Sequence, residues 1–140
     1  MKSDRSMDFK TVLLKLTSSS APQMLYWFKK ETSKLIIYDP RSNEDHRTLT
    51  IDRTVPNAAA WAFLNDTEIL ITGGVRIQAA WSIEIEDWAV TDHPDMEFKR
   101  CGHGIVAIGR SIYVFGGFDG SGVRTCEEFS NNAWRRLPDL

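Results

Sequence analysis

The sequence predicts an all-β fold built from repeated four-stranded antiparallel sheets, and three observations carry the prediction. Apolar runs of four or five residues recur along the chain, separated by polar or Gly/Asn/Asp/Pro turns, as short strands are. The runs fall into sets that restart: Leu25, Ile69 and Ile112 align at separations of 44 and 43 residues, and Trp88 and Trp134 stand 46 apart. Two of the sets close their second run on a glycine pair, Gly73-Gly74 and Gly116-Gly117. A period of roughly 40 to 50 residues with four strands per period is the signature of propeller blades.

Taken in order, residues 1 to 22 form an N-terminal extension. Phe9, Val12, Leu13 and Leu16 have helical spacing, and the same residues also suit a short buried strand; Ser18 to Pro22 breaks either one. The first blade spans about residues 23–55, with strands Leu25 to Phe28, Leu35 to Tyr38 and Arg47 to Ile51, the last half-buried by its alternation. The second, about 56–97, has strands Ala59 to Leu64, Ile69 to Thr72, Trp81 to Ile85 and a fourth carrying Trp88. The third, about 98–140, has strands Ile105 to Ile108, Ile112 to Phe115, Val123 to Phe129 and a fourth carrying Trp134. Each such sheet is apolar on both faces and needs neighbours to cover it.

Composition sets the outer limits. With 140 residues, 42% hydrophobic and 26% charged, the chain has the make-up of a soluble globular domain. A formal net charge of −2 offers no basic field to nucleic acid or to an anionic membrane. No apolar run approaches a membrane span, and Val12-Leu13-Leu14 is too short for a signal-peptide core, so the expected compartment is the cytoplasm. Cys101 and Cys126 are expected to be free thiols there. His46, His93 and His103 lack metal-ligand spacing, so no metal or other cofactor is expected. Phe118 to Gly122 follows a strand but opens no helix and lacks a phosphate-binding lysine, and reads as a hairpin loop. Glu84, Glu86 and Asp87 read as a solvated face.

At GHGIVAIGRSIYVFGGFDGSG, followed by Trp134 and Leu137-Pro138, the chain resembles a Kelch repeat. That family is marked by a double glycine ending the second strand, an aromatic on the third and a Trp on the fourth, places held here by Gly116-Gly117, Phe129 and Trp134. The second repeat matches at Gly73, Gly74 and Trp88, with Ile85 in the aromatic's place; the first has Lys29-Lys30 for both glycines. The resemblance covers roughly residues 24 to 140 and implies a partial Kelch-type β-propeller of about three blades. Propellers close with four to eight blades, so completion by further blades or by a second copy is expected.

In such propellers the loops joining second to third strands, and fourth to next first strands, gather on one rim and hold partner proteins. The resemblance therefore points to Arg76, Arg100, Phe118, Asp119 and Arg124 as partner-binding residues, arginines and exposed aromatics being typical of hot spots. The function expected is that of a scaffold or adaptor for a partner protein, without catalysis. Two alternatives stand beside it. One is a fragment of a sugar-processing or oxidase-type propeller enzyme, although Tyr26, Tyr38 and Tyr113 fall within core strands; the other is a structural remnant without a partner.

Overall fold

The computed structural model describes residues 12–14, 24–42 and 46–140. Twelve strands run through them: β1 (Val12–Leu14), β2 (Leu25–Lys29), β3 (Lys34–Tyr38), β4 (Arg47–Thr50), β5 (Ala60–Phe63), β6 (Glu68–Thr72), β7 (Ala80–Glu84), β8 (Val90–His93), β9 (Gly104–Ile108), β10 (Ser111–Phe115), β11 (Cys126–Ser130) and β12 (Ala133–Leu137). They form three four-stranded sheets, β1 to β4, β5 to β8 and β9 to β12, each paired in sequence order. All pairings are antiparallel. Of the first strands, β5 approaches both β1 and β9, which sets these strands innermost. The described residues thus form an all-β fold of three four-stranded blades, the arrangement expected of a partial Kelch-type β-propeller.

Strand β1 pairs with β2, Val12 opposite Trp27 and Leu14 opposite Leu25. The first blade thus takes its inner strand from within the stretch predicted as an extension, and the helical alternative is set aside at Val12–Leu14. Phe9, Leu16 and the Ser18 to Pro22 break lie outside the described residues, as do positions 43–45 of the first blade's polar loop.

The second blade holds the others together because both its faces are buried. Strand alternation sends successive side chains to opposite faces. One face carries Trp61, Ile69, Ile71, Trp81 and Ile83 and packs on Tyr26, Phe28, Leu35 and Ile37 of the first blade. Phe28 meets Trp61 edge-on at 5.0 Å between ring centroids, and Tyr26 meets Phe63 in the same way at 5.6 Å. The opposite face carries smaller groups, Ala62, Leu70 and Ala80, against Ile112, Val114 and Phe129 of the third blade. The first seam is therefore thick and aromatic, and the second is thin.

Pairing corrects two positions in the second repeat. Ile69 faces Ile83, and Ile112 faces Phe129, so Ile83 rather than Ile85 stands in the aromatic's place. Ile83 in turn pairs with Val90, and Phe129 with Trp134, so Val90 is the counterpart of Trp134. Trp88 sits in the β7–β8 turn with a left-handed backbone (φ 62°) and packs on the first seam. The turn after β7 is longer than the Asn131-Asn132 turn after β11, and this displaces the tryptophan. Trp134 lies in β12, partly buried against the second seam, and its indole Nε1 donates to the Pro94 carbonyl at 2.7 Å.

The third blade's outward face is open. Val106, Ile108 and Phe115 on it are exposed, with Ile108 63% accessible. If the seams carry the stability, Ile71→Ala costs roughly 2 to 5 kcal/mol in urea unfolding, whereas Ile108→Ala costs less than about 1 kcal/mol. Equal losses at the two sites would contradict this packing.

Candidate functional site

The connections on one rim of the propeller, here called lower, are tied to one another by backbone hydrogen bonds. These are the β2–β3, β6–β7 and β10–β11 loops together with the segments that lead from one blade to the next. Glu31 N donates to Val55 O (2.7 Å), Val75 N to Asn57 O (3.0 Å), Gly74 N to Arg100 O (3.0 Å) and Gly102 N to Ala58 O (2.9 Å). Cys101 and Phe118 exchange both their N–H···O bonds, at 3.1 and 3.0 Å. Two glycines make these approaches possible. A Cβ on Gly73 (φ +66°) would lie 2.3 Å from the Arg100 carbonyl oxygen, and one on Gly117 (φ +94°) 2.8 Å from that of Cys101. Neither site admits a side chain.

Where the second and third blades meet, this rim holds a cleft of about 290 Å³ lined by Val75, Arg76, Cys101, Phe118, Asp119 and Gly120. Val75 is 47% and Phe118 53% exposed, two apolar side chains turned to solvent beside one cation and one anion. Among the described residues neither Arg76 nor Asp119 has an ion-pair partner. The structure thus brings together Arg76, Phe118 and Asp119 of the five residues expected to bind a partner. Arg124, exposed on the same loop, donates from Nε and Nη2 to the Leu140 carbonyl, at 3.2 and 2.7 Å.

Arg100 is a correction. It is fully buried, with no surface left for a partner. Its Nη2 donates to Glu127 Oε2 at 2.7 Å and to Thr125 Oγ1 at 2.9 Å, while Nη1 donates to the carbonyls of Gly116 (2.9 Å) and Thr125 (2.8 Å). Those two carbonyls stand at the two ends of the β10–β11 loop, so one guanidinium closes the neck of the loop that bears Phe118 and Asp119. The other Glu127 oxygen accepts the Glu97 backbone N–H at 2.6 Å. A charge is tolerated in a core when it is paired and its remaining hydrogen-bonding capacity is met. The pair nearly meets that condition, Arg100 Nε alone being without a partner.

Cys101 was not expected in the site, nor was Glu127 as the partner of Arg100; Val75 and Gly120 belong to the expected rim loops, 75–78 and 118–124, without having been singled out there. For Glu127 a signal existed: it lies two residues before Phe129 on one strand, so alternation turns both inward and the carboxylate needs a buried cation. Nothing in the order of residues marks Cys101, which reaches the cleft through its bridge to Phe118.

The opposite rim has a second cleft, about 360 Å³, lined among others by Leu64, Asp92, His93, Arg110 and Asn132. His93 spans it, Nε2 lying 2.7 Å from Ser82 Oγ and Nδ1 2.9 Å from Asn132 Oδ1, and Ser82 Oγ donates to Glu68 Oε1 at 2.5 Å. The Arg53 guanidinium, 2.5 Å from Asp92, holds that carboxyl below the usual carboxylate range. Glu84 is half-buried and accepts a bond from Thr67 Oγ1 at 3.1 Å, so it departs from the solvated face that Glu86 and Asp87 form. Cys101 and Cys126 are free thiols. Among the described residues no three His, Cys, Asp or Glu side chains come together as a metal site, and no helix is long and apolar enough to cross a membrane.

Residues 99–140 match the Kelch motif. Over 114 residues, 76% of this chain, it is 26% identical to "Kelch repeat and BTB domain-containing protein 2" of Ectromelia virus (strain Moscow). It is 29% identical over the same length to the protein of that name from Cowpox virus (strain GRI-90 / Grishak). The chain spans about a fifth of the length of these relatives, 20% of each.

The buried ion pair makes a prediction about the rim. Arg100→Met leaves Glu127 charged and unpaired and is expected to cost about 3 to 5 kcal/mol, while Arg100→Met with Glu127→Leu recovers most of that loss. Urea midpoints of the two variants check it. Limited proteolysis should cut the 116–125 loop in both, because neither retains the bonds to Gly116 and Thr125.

Proposed function

We propose that this Kelch-repeat chain is a protein-interaction module that holds a partner protein in the lower-rim cleft between its second and third blades, as a scaffold or adaptor. Kelch repeats generally mediate protein–protein interaction. The observation that carries the reading is the exposure of Val75 and Phe118 on a rim whose backbone is otherwise tied down. Exposed aromatics beside arginine are where binding energy concentrates. A loop closed by Arg100 has little conformational freedom to lose on binding, which favours affinity. Arg76 and Asp119 flank the apolar pair with one charge of each sign and would orient a partner carrying the complementary pair. Arg124 lies at the margin of this surface.

The open face of the third blade, with Val106, Ile108 and Phe115, supports completion by further blades or by a second copy of the chain. Two free thiols suit a reducing compartment such as the cytoplasm. The length of the relatives leaves any whole-protein role outside this reading.

Affinity capture with three forms of the chain tests the cleft: wild type, Arg76→Ala with Phe118→Ala, and Arg110→Ala on the opposite rim. Partners retained by wild type and by Arg110→Ala should bind the double variant at least about tenfold more weakly, a loss of about 1.4 kcal/mol or more. Undiminished binding by a folded double variant would sink the lower-rim assignment.

A further inference from the structure

Both rim clefts straddle one seam. The lower one has Val75 and Arg76 on the second-blade side and Cys101, Phe118 and Asp119 on the third-blade side. Whatever parts the second blade from the third pulls both clefts open.

The two seams differ in what closes them. The buried apolar side chains of the first are aliphatic and aromatic, from Phe28 and Leu35 to Trp61 and Trp81, and His46, on that side of the chain, is exposed. The second has a smaller apolar core and two histidines that bridge it. His103, entering the third blade, meets Thr72 of the second, Nε2 to Oγ1 at 2.8 Å. His93, leaving the second blade, meets Asn132 of the third at 2.9 Å.

The surroundings of the two rings are opposite in sign. Glu68 Oε1 lies 3.6 Å from His93 Nε2, and Asp92 is its chain neighbour, so carboxylates stand beside that ring. His103 is buried, faces Thr72 from β6 and the backbone of Gly73 and Gly117, and the charged group that bears on it is Arg100. Glu127, the carboxylate of this region, is already bonded to Arg100 and to the Glu97 amide. The His103 Nδ1 is buried without a partner, so a second proton there would have no acceptor. We propose that the seam between the second and third blades is an acid-labile joint, opened by protonation of His103 while the first seam stays closed.

Burial and the Arg100 charge lower His103 from the ordinary 6.5 to about 4. A ring exposed by opening returns toward 6.5. Between these values the open form carries the proton and the closed form does not, so stability of the seam is complete above about 6.5 and falls as the pH drops toward 4. Opening then becomes easier by up to about tenfold for each unit of pH lost within the window. Below it both forms are protonated and the dependence ends.

Amide hydrogen exchange on the whole chain tests this, with rates corrected for intrinsic exchange. Gly74 N→Arg100 O and Gly102 N→Ala58 O report on the second seam, while Glu31 N→Val55 O and Val55 N→Thr32 O, which tie the β2–β3 turn to the segment leading into the second blade beside the first-seam core, report on the first. From pH 6.5 to 4.5, protection at Gly74 and Gly102 should fall about fortyfold, and at Glu31 and Val55 less than about threefold. His103→Gln should flatten the loss at Gly74 and Gly102. Parallel loss at both seams, no loss at either, or an undiminished pH dependence in a folded His103→Gln chain would each overturn the proposal. If that variant does not fold, the comparison of the two seams in the wild type decides, together with the His103 imidazole titration by NMR, which must lie well below 6.5.

Discussion

Burial of the second blade on both faces is the constraint from which the rest of this structure follows. A four-stranded sheet with apolar side chains on each side has no stable existence in water, and stacking removes both faces at once. Here one face is covered by aromatic contacts such as Phe28 on Trp61, and the other by Ile112, Val114 and Phe129. With the middle blade held, the loops that leave its strands are delivered to fixed places on the rims. The third blade, covered on one side, presents Val106, Ile108 and Phe115 on the other, which is the same physical demand repeated at its next face.

The difference between the two seams gives the fold a gradient. Large rings pack the first with dispersion contacts that no change of protonation alters. Small side chains at Ala62 and Ala80 let the third blade come close and leave room for polar bridges, Thr72 to His103 and His93 to Asn132. The Thr72–His103 bridge puts a buried imidazole, which acid can charge, inside the second seam, whereas ring packing at the first offers acid no such group. The clefts lie where the second seam reaches the two rims, so the surface proposed for binding is also the surface nearest the softer joint.

Much of the fold was legible because strands announce themselves by short apolar runs and by the return of Leu25, Ile69 and Ile112 at nearly equal spacing. The rim positions of Arg76, Phe118 and Asp119 followed from where those strands end. What the pattern concealed was tertiary. Arg100 lies among charged neighbours in a connecting segment, as a solvated residue would, and its burial depends on a carboxylate 27 residues away. Trp88 and Trp134 matched by identity and spacing, yet a longer turn in the second blade moves Trp88 out of the strand, and pairing restores Val90 to the place. Residue type misled where hydrogen-bond register decides. Cys101 carried no signal at all, since its place in the cleft is set by one bridge.

A last regularity concerns the arginines. Arg53 and Arg100 stand 47 residues apart, each in the segment leading into a new blade, and each reaches the third strand of that blade. The residues they meet, Trp81 and Glu127, are 46 apart and occupy matching places in β7 and β11. One slot is thus filled by two chemistries: the Arg53 guanidinium lies over the Trp81 ring at 5.1 Å, and Arg100 pairs with Glu127. A cation over a ring face is tolerant of angle and leaves the guanidinium free to pair outward, as Arg53 does with Asp92. A buried guanidinium–carboxylate pair fixes the fork, and the remaining N–H groups then have to be met from the backbone. At Arg100 all but Nε are met, by Gly116 and Thr125. The third blade can therefore carry the long 116–125 loop and keep it ordered, because the loop's ends are fastened from below and its tip is left free to vary. The separation of fastening from recognition is what makes this loop, rather than its shorter counterpart after β6, the main element of a binding rim.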